Sequence, residues 1–198
     1  THRPKTVDAI AGQEEAKRLV KSFLHDDAPS LLFVGPPGVG KTTMAQAMAR
    51  EMHGEFFAEG TSFIVTNASD DRGIDFVRSD LKRMARTGSI GVTRKVLLLD
   101  EADGLTKQAQ EALRQVIETT QSNTMWILTA NEESRIIRAI QSRCHTVHFS
   151  PVHDTSALEH LIDVEELPDE WKEQLEQLLL VTNGDMRSAV SALQAAES

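Results

Sequence analysis

The sequence predicts an α/β fold: a five-stranded parallel sheet flanked by helices, followed by a small α-helical lid. Three observations predict it. Short apolar runs alternate with helical stretches, a glycine-rich turn joins the first such run to a helix, and beyond Ser150-Pro151 the strand-like runs stop. Strands separated by helices imply right-handed crossovers, and hence a parallel sheet covered on both faces.

The elements follow in order. Residues 13–25 are a charged amphipathic helix, broken by Asp26-Asp27-Ala28-Pro29. Leu31-Leu32-Phe33-Val34 is a short buried strand. Residues 41–52 are rich in Ala and Met and read as helix, ended by His53-Gly54. Phe63-Ile64-Val65 is a second strand, and residues 74–86 a helix whose Ile74, Val77, Leu81 and Met84 share one face. Val96-Leu97-Leu98-Leu99 is apolar throughout, as a strand buried on both sides must be. Ala109, Ala112, Leu113, Val116 and Ile117 form the inner stripe of the next helix, and residues 125–129 and 146–149 complete the strands. The organisation is therefore an α/β domain over 1–150 and a helical lid over 151–198, its segments near 153–163, 169–181 and 185–197 punctuated by Pro168 and Asn183-Gly184. Trp126 and Trp171 read as core side chains.

A chain of 198 residues suffices for one such domain with a small helical appendix. It contains no apolar run near the ~18 residues a membrane span needs, and its start, Thr1-His2-Arg3-Pro4-Lys5, lacks the apolar stretch of a secretory signal. Its single cysteine, Cys144, excludes an intramolecular disulfide and a cysteine-based zinc cluster, which fits a reducing, intracellular compartment. The histidines show no metal-ligand spacing. The formal charge of −9 argues against coating by nucleic acid over the whole surface while leaving room for a local basic stripe.

The chemistry concentrates at two strand ends. Gly35-Pro36-Pro37-Gly38-Val39-Gly40-Lys41-Thr42 fits the phosphate-loop pattern G-x-x-x-x-G-K-[ST], follows an apolar strand and opens a helix. Glycines let backbone N–H groups turn inward around phosphate at a helix N-terminus. Lys41 supplies a cation for β- and γ-phosphates, Thr42 a hydroxyl for Mg²⁺, and Thr43 extends the phosphate-binding turn. Leu99-Asp100-Glu101 ends another strand, and in parallel sheets ligands collect beyond that edge. There Asp100 suits Mg²⁺ and Glu101 suits the attacking water, although Asp100-Glu101-Ala102-Asp103 alone reads equally well as a solvated acidic turn. Asn131 ends the fourth strand at the same edge, either as an amide beside the γ-phosphate or as an Asx turn.

Several further segments together resemble the clamp-loader branch of the AAA+ P-loop ATPases, and the small subunits of replication factor C in particular. They are Asn67-Ala68-Ser69-Asp70-Asp71-Arg72-Gly73-Ile74, Asp100-Glu101-Ala102-Asp103, Ala109-Gln110-Glu111-Ala112-Leu113-Arg114, Ser142-Arg143-Cys144 and Gly184-Asp185-Met186-Arg187. Arg3-Pro4 and Gly12-Gln13 match the box that borders the adenine. The resemblance implies an ATP- and Mg²⁺-dependent ATPase in a ring or spiral of clamp-loader subunits, pentameric in the family. Such an assembly opens a sliding clamp and loads it onto primer–template DNA, with no membrane involved. The expected location is the nucleoid-bearing cytoplasm of a prokaryote or archaeon, or a eukaryotic nucleus. By the same resemblance Arg143 is an arginine finger that reaches a neighbour's γ-phosphate, and Arg187 is a lid sensor touching phosphate in its own chain. Read bare, both are surface charges. The family has proline where Ala139 stands and an aromatic where His2 stands, and its C-terminal helical collar does not follow Ser198 within this sequence.

Arg78, Lys82 and Arg86 recur every four residues on helix 74–86, with Arg83 beside them and Lys107, Gln110 and Arg114 on the next helix. Such a stripe suits duplex phosphates, or equally a solvated face laced by Asp75 and Asp80. Clamp loaders line their DNA channel with these helices, so the resemblance selects the DNA reading, and it offers Thr87-Gly88-Ser89-Ile90-Gly91-Val92 as a clamp contact. Two other functions stay open: a scaffold subunit that donates Arg143 and hydrolyses little, and a different AAA+ DNA-processing motor.

Overall fold

The computed structural model describes residues 4–69 and 73–151 and, beyond Pro151, only Gln174, Glu176, Gln177, Val181 and Ser188. The expected lid over 151–198, Trp171 included, falls outside the described residues but for those five and Pro151. Among the described residues no helix is long and apolar enough to cross a membrane.

Five strands, β1 (Ser30–Val34), β2 (Phe63–Asn67), β3 (Lys95–Asp100), β4 (Thr124–Ala130) and β5 (Cys144–His148), form one sheet in the order β2-β3-β4-β1-β5. Every pairing is parallel. All five residues of β1 and all seven of β4 are buried, because each lies inside the sheet with both faces covered. Side-chain alternation then builds two cores. Leu31, Phe33, Val96, Leu98 and Ile127 pack with Met44 and Met48 on one face, while Leu32, Leu97, Leu99, Trp126 and Leu128 pack with Leu113 and Val116 on the other. Trp126 is fully buried there and its indole N–H donates to Thr120 Oγ1 at 3.0 Å.

Helices α1 (Glu14–Lys21), α2 (Lys41–His53), α3 (Ile74–Phe76), α4 (Lys82–Arg86), α5 (Lys107–Thr120) and α6 (Arg138–Gln141) cover the sheet. α1 is shorter than the sequence reading at both ends. Gln13 adopts a left-handed φ of 58°, which starts the helix after it, and Ser22 Oγ donates back to Leu19 O at 2.6 Å, which closes it early. β5 begins two residues before the expected 146, because Cys144 and His145 pair with Ser30 and Leu31. Their polar character hid this.

The helix expected over 74–86 is real but not uniform. α3 runs through a π turn (Val77–Leu81) into α4. A regular helix advances about 100° per residue, so positions four apart drift by about 40° per step. The π turn holds one extra residue per turn and cancels that drift. The buried line is consequently Val77, Leu81 and Ala85, with Ile74 and Met84 only partly buried, rather than Ile74, Val77, Leu81 and Met84 alone. Lys95, buried at the start of β3, donates from Nζ to Met84 O and Thr87 O and so caps the end of α4. Burial pushes its pKa down.

At the far end of α2, His53 is buried with Nε2 at 3.0 Å from Arg94 O. The Arg94 guanidinium donates in turn to Asp26 O, Ala28 O and Thr124 O at 2.6–3.2 Å, which ties the starts of β1, β3 and β4 together. Desolvation holds the His53 pKa below 6.5, against the opposing pull of its backbone contact and of Asp26. The unfolded chain takes up a proton at about pH 6.5 that the folded chain refuses. Stability should therefore be intact above pH 6.5 and fall as pH drops from there toward the lower folded-state value, by at most about 1.4 kcal/mol per pH unit from this group. Urea unfolding at pH 7.5 and 5.5 checks this; His53→Leu should flatten the difference, and an undiminished slope in that variant would assign it elsewhere.

Candidate functional site

The site begins at the C-terminal end of β1. Gly35 leaves the strand with its N–H donating to Ala130 O at 3.1 Å, and beside it Phe149 N donates to Val34 O at 2.7 Å. A Cβ on Gly35 would lie 2.4 Å from Phe149 O, so only glycine fits. Gly38 and Gly40 have φ of 78° and 95°, which side-chain-bearing residues rarely adopt. Pro36, Pro37 and buried Val39 complete the turn, and α2 opens at Lys41 with Gly40 as its N-cap.

Lys41 is 8% exposed. Its Nζ donates to Gly35 O, to Pro36 O at 2.7 Å and to Asn131 Oδ1 at 3.0 Å. The loop lysine thus lies across its own loop and touches the residue at the end of β4. Thr42 Oγ1 donates to Asp100 Oδ2 at 3.0 Å. Pairing of Asn67 with Asp100 and of Leu99 with Leu128 sets the ends of β2, β3 and β4 side by side. Lys41, Thr42, Thr43, Asp100, Glu101 and Asn131 consequently line one cleft with Pro37, Gly38, Gly40 and Thr129. Thr42 and Asp100 present adjoining hard oxygens, the kind that a magnesium ion takes together with phosphate and water. Among the described residues no group of three or more His, Cys, Asp or Glu forms a metal cage.

Three further residues hold this edge in place. Thr129 Oγ1 donates to Asp100 Oδ1 and accepts from Glu101 N at 3.0 Å, so one hydroxyl orders both carboxylate-bearing residues. Glu101 itself has φ 55°, a strained conformation for a non-glycine residue, and its side chain is exposed at the cleft. Asp103, buried, accepts from Asn131 N and Glu132 N at 3.2 and 3.4 Å. Gln13 is the third. Its amide donates to Val39 O at 3.2 Å and to Ser150 O at 2.6 Å and accepts from Ser150 N at 3.2 Å, joining the N-terminal segment, the phosphate loop and the exit of the sheet. Pro4 is half-buried in that N-terminal segment, whose Val7 and Ile10 share a core with Val39. Arg3 and Arg187 lie outside the described residues.

Arg143 is elsewhere. It precedes β5, whose first residue pairs with Ser30 at the start of β1, whereas the cleft lies past the end of β1. A strand of this length separates the two by roughly 15 Å. The Arg143 Nε donates to Glu118, and both residues line a larger cleft of about 540 Å³ at the N-terminal end of the sheet. The Cys144 thiol beside it is pushed up to about 12 by burial, so it stays protonated at neutral pH.

The basic row is partly free. Arg78, Lys82 and Arg86 are exposed and form no ion pair among the described residues, as is Lys107. Arg83 pairs with Asp80 at 3.0 Å, and Arg114 with Glu118 at 2.9 Å and Glu111 at 3.6 Å. Gln110 cannot share the work of that row. It is 2% exposed, its amide donates to Leu105 O and Arg135 O at 3.2 and 3.0 Å, and its carbonyl accepts from Ile137 N at 2.9 Å. The helical period placed it beside Arg114, but its polar head turns inward to hold the approach to α6.

Comparison with known proteins agrees with this geometry. Residues 31–152 match the family model described as ATPase family associated with various cellular activities (AAA). The chain is 43% identical over 198 residues to a replication factor C small subunit of Haloarcula marismortui, covering 98% of this chain and 60% of that protein. It is also 43% identical over 199 residues to the replication factor C small subunit of Archaeoglobus fulgidus, covering 98% and 62%. The chain therefore spans about 60% of the length of these curated relatives. In fold it is similar to the RuvB Holliday junction branch migration motor of Thermotoga maritima, with TM-score 0.65 at 18% identity over 98% of this chain and 72% of that one. A glycine-rich loop at the end of β1, carboxylates at the end of β3 and a family match over residues 31–152 lead to one assignment: the chain belongs to the AAA family of ATPases.

Proposed function

We propose that the chain is an ATP-hydrolysing clamp-loader subunit that helps open a sliding clamp and load it onto primer–template DNA. One observation carries this reading: identity of 43% to replication factor C small subunits across 98% of the chain, against 18% to the branch-migration motor.

In this reading the loop amides of Gly35–Thr42 hold the triphosphate, and Lys41 leaves its loop carbonyls for the β- and γ-phosphates. Thr42 and Asp100 hold a magnesium ion, which when bound neutralises phosphate charge. Glu101 orients the attacking water, held in place by Thr129, and Asn131 places its amide near the γ-phosphate. Arg3 and Pro4 border the adenine, and Arg187, in a lid over 151–198, touches phosphate in its own chain. Arg143, too distant to serve its own cleft, acts on the next subunit in a ring or spiral of five. The segment 87–92, in which Ile90 is 94% exposed, helps contact the clamp.

Arg78 and Lys82 contact duplex phosphates, with Arg83, Lys107 and Arg114 at the margins. The double variant Arg78→Ala, Lys82→Ala should make the salt dependence of primed-DNA affinity shallower by about two units in log–log slope. It should also cut the ratio of DNA-stimulated to DNA-free turnover. An unchanged slope would move DNA off that face.

A further inference from the structure

Arg143 is not a loose surface arginine. Its Nε donates to Glu118 near the C-terminal end of α5, and Nη1 lies 3.3 Å from Ser142 Oγ. Glu118 is itself held: Arg114, one turn earlier on α5, donates from Nη1 to both its oxygens at 3.1 and 2.9 Å. α5 is anchored in turn by Leu113, Val116 and Ile117, buried against the sheet. A rigid helix thus fixes a carboxylate, and the carboxylate fixes one edge of the guanidinium. An isolated exposed ion pair would order little. Here the carboxylate is bound from both sides, and the hydrogen bond from Arg143, with Arg114 adding, holds its pKa below the usual range.

Arginine presents five N–H donors in a planar fork, and a side chain recruited from free rotation must first lose its rotamer entropy. Gripping the inner nitrogen pre-orders the side chain while Arg143 keeps 40% of its surface exposed beside an open cleft. We propose that Glu118 is the positioning residue of Arg143, holding it by Nε so that the outer guanidinium edge stays available to a neighbouring subunit's phosphate. This rests on the reading of Arg143 as a finger acting between chains.

The test uses polarity. A Lys41→Ala chain keeps its finger but lacks its own turnover, and an Arg143→Ala chain keeps its cleft but lacks a finger. Mixing the two should restore turnover at interfaces of one orientation, at concentrations where wild-type turnover per chain rises with protein. Glu118→Ala placed in the finger-donating chain should lower the restored kcat between about 5- and 100-fold, with the ATP concentration for half-maximal rate unchanged. The same change in the Arg143→Ala chain should have no such effect, and Glu118→Gln in the donor should recover part of the loss by keeping an acceptor for Nε. Equal losses in both chains, or a loss confined to KM, would make Glu118 a structural residue and overturn the proposal while leaving the finger intact. If the parent mixture restores nothing, the finger reading falls and takes the role of Glu118 with it.

Discussion

Replacing Lys41 by alanine is expected to lower ATP turnover about 10³-fold and to weaken nucleotide binding about 10- to 100-fold. The two effects have different origins. Binding weakens because a charge-assisted contact to phosphate disappears; turnover falls further because charge grows on the transferred phosphoryl group and the cation is no longer there to meet it. Lys41 also bridges Gly35 O, Pro36 O and Asn131 Oδ1, so its removal loosens the loop as well as emptying it of charge. Lys41→Met, which keeps the stem but neither the charge nor the donors, separates lost packing from the loss of the ammonium group. Binding by a fluorescent ATP analogue and steady-state turnover read the two separately, and a Lys41→Ala chain retaining a tenth of wild-type turnover would refute the assignment.

Gly35→Ala should be the most damaging small substitution in the fold, costing about 3 kcal/mol, or roughly 6–12 °C in Tm. The new Cβ would meet Phe149 O at 2.4 Å, Phe149 Cβ at 2.9 Å and Phe149 C at 3.1 Å. Two of these three are backbone atoms and the third is bonded to backbone, so none is the yielding tip of a side chain. Relief requires β5 to move away from β1 just where Phe149 N bonds Val34 O. Gly88→Ala is the matched control, since a Cβ there has nothing within 4 Å, and it should stay within about 0.5 kcal/mol of wild type. Thermal unfolding of both variants decides the matter; similar Tm values would mean that the strand end yields freely.

What was legible in the chain beforehand depended on how local the signal was. The phosphate loop, the apolar β3 ending in Asp100-Glu101 and the inner stripe of α5 are carried by neighbouring residues, and the structure places them as read. Thr129 was not legible as a ligand of Asp100, because their contact depends on the register between β3 and β4, and a slip of one residue would turn the hydroxyl to the other face. Gln110 misled for the opposite reason. Its spacing matches that of its basic neighbours, yet the amide is consumed by three backbone partners distant or adjacent in sequence. The π turn has no signature in composition, and only the four-residue recurrence of Val77, Leu81 and Ala85 hints at it. Bare charge could not divide Arg78 and Lys82 from Arg83 and Arg114, since acidic partners one turn away decide which cations are already engaged.

That π turn makes α3 and α4 a rod with a spare residue in it. Were the same residues wound as an unbroken α-helix, each position would sit about 40° around the axis from the one four before it. Ala85 would then lie about 80° around the axis from Val77, and Arg86 about 80° from Arg78, so both lines would wind around the rod instead of running along it. The slack is what keeps an oily seam and a cationic seam parallel along the same short helix.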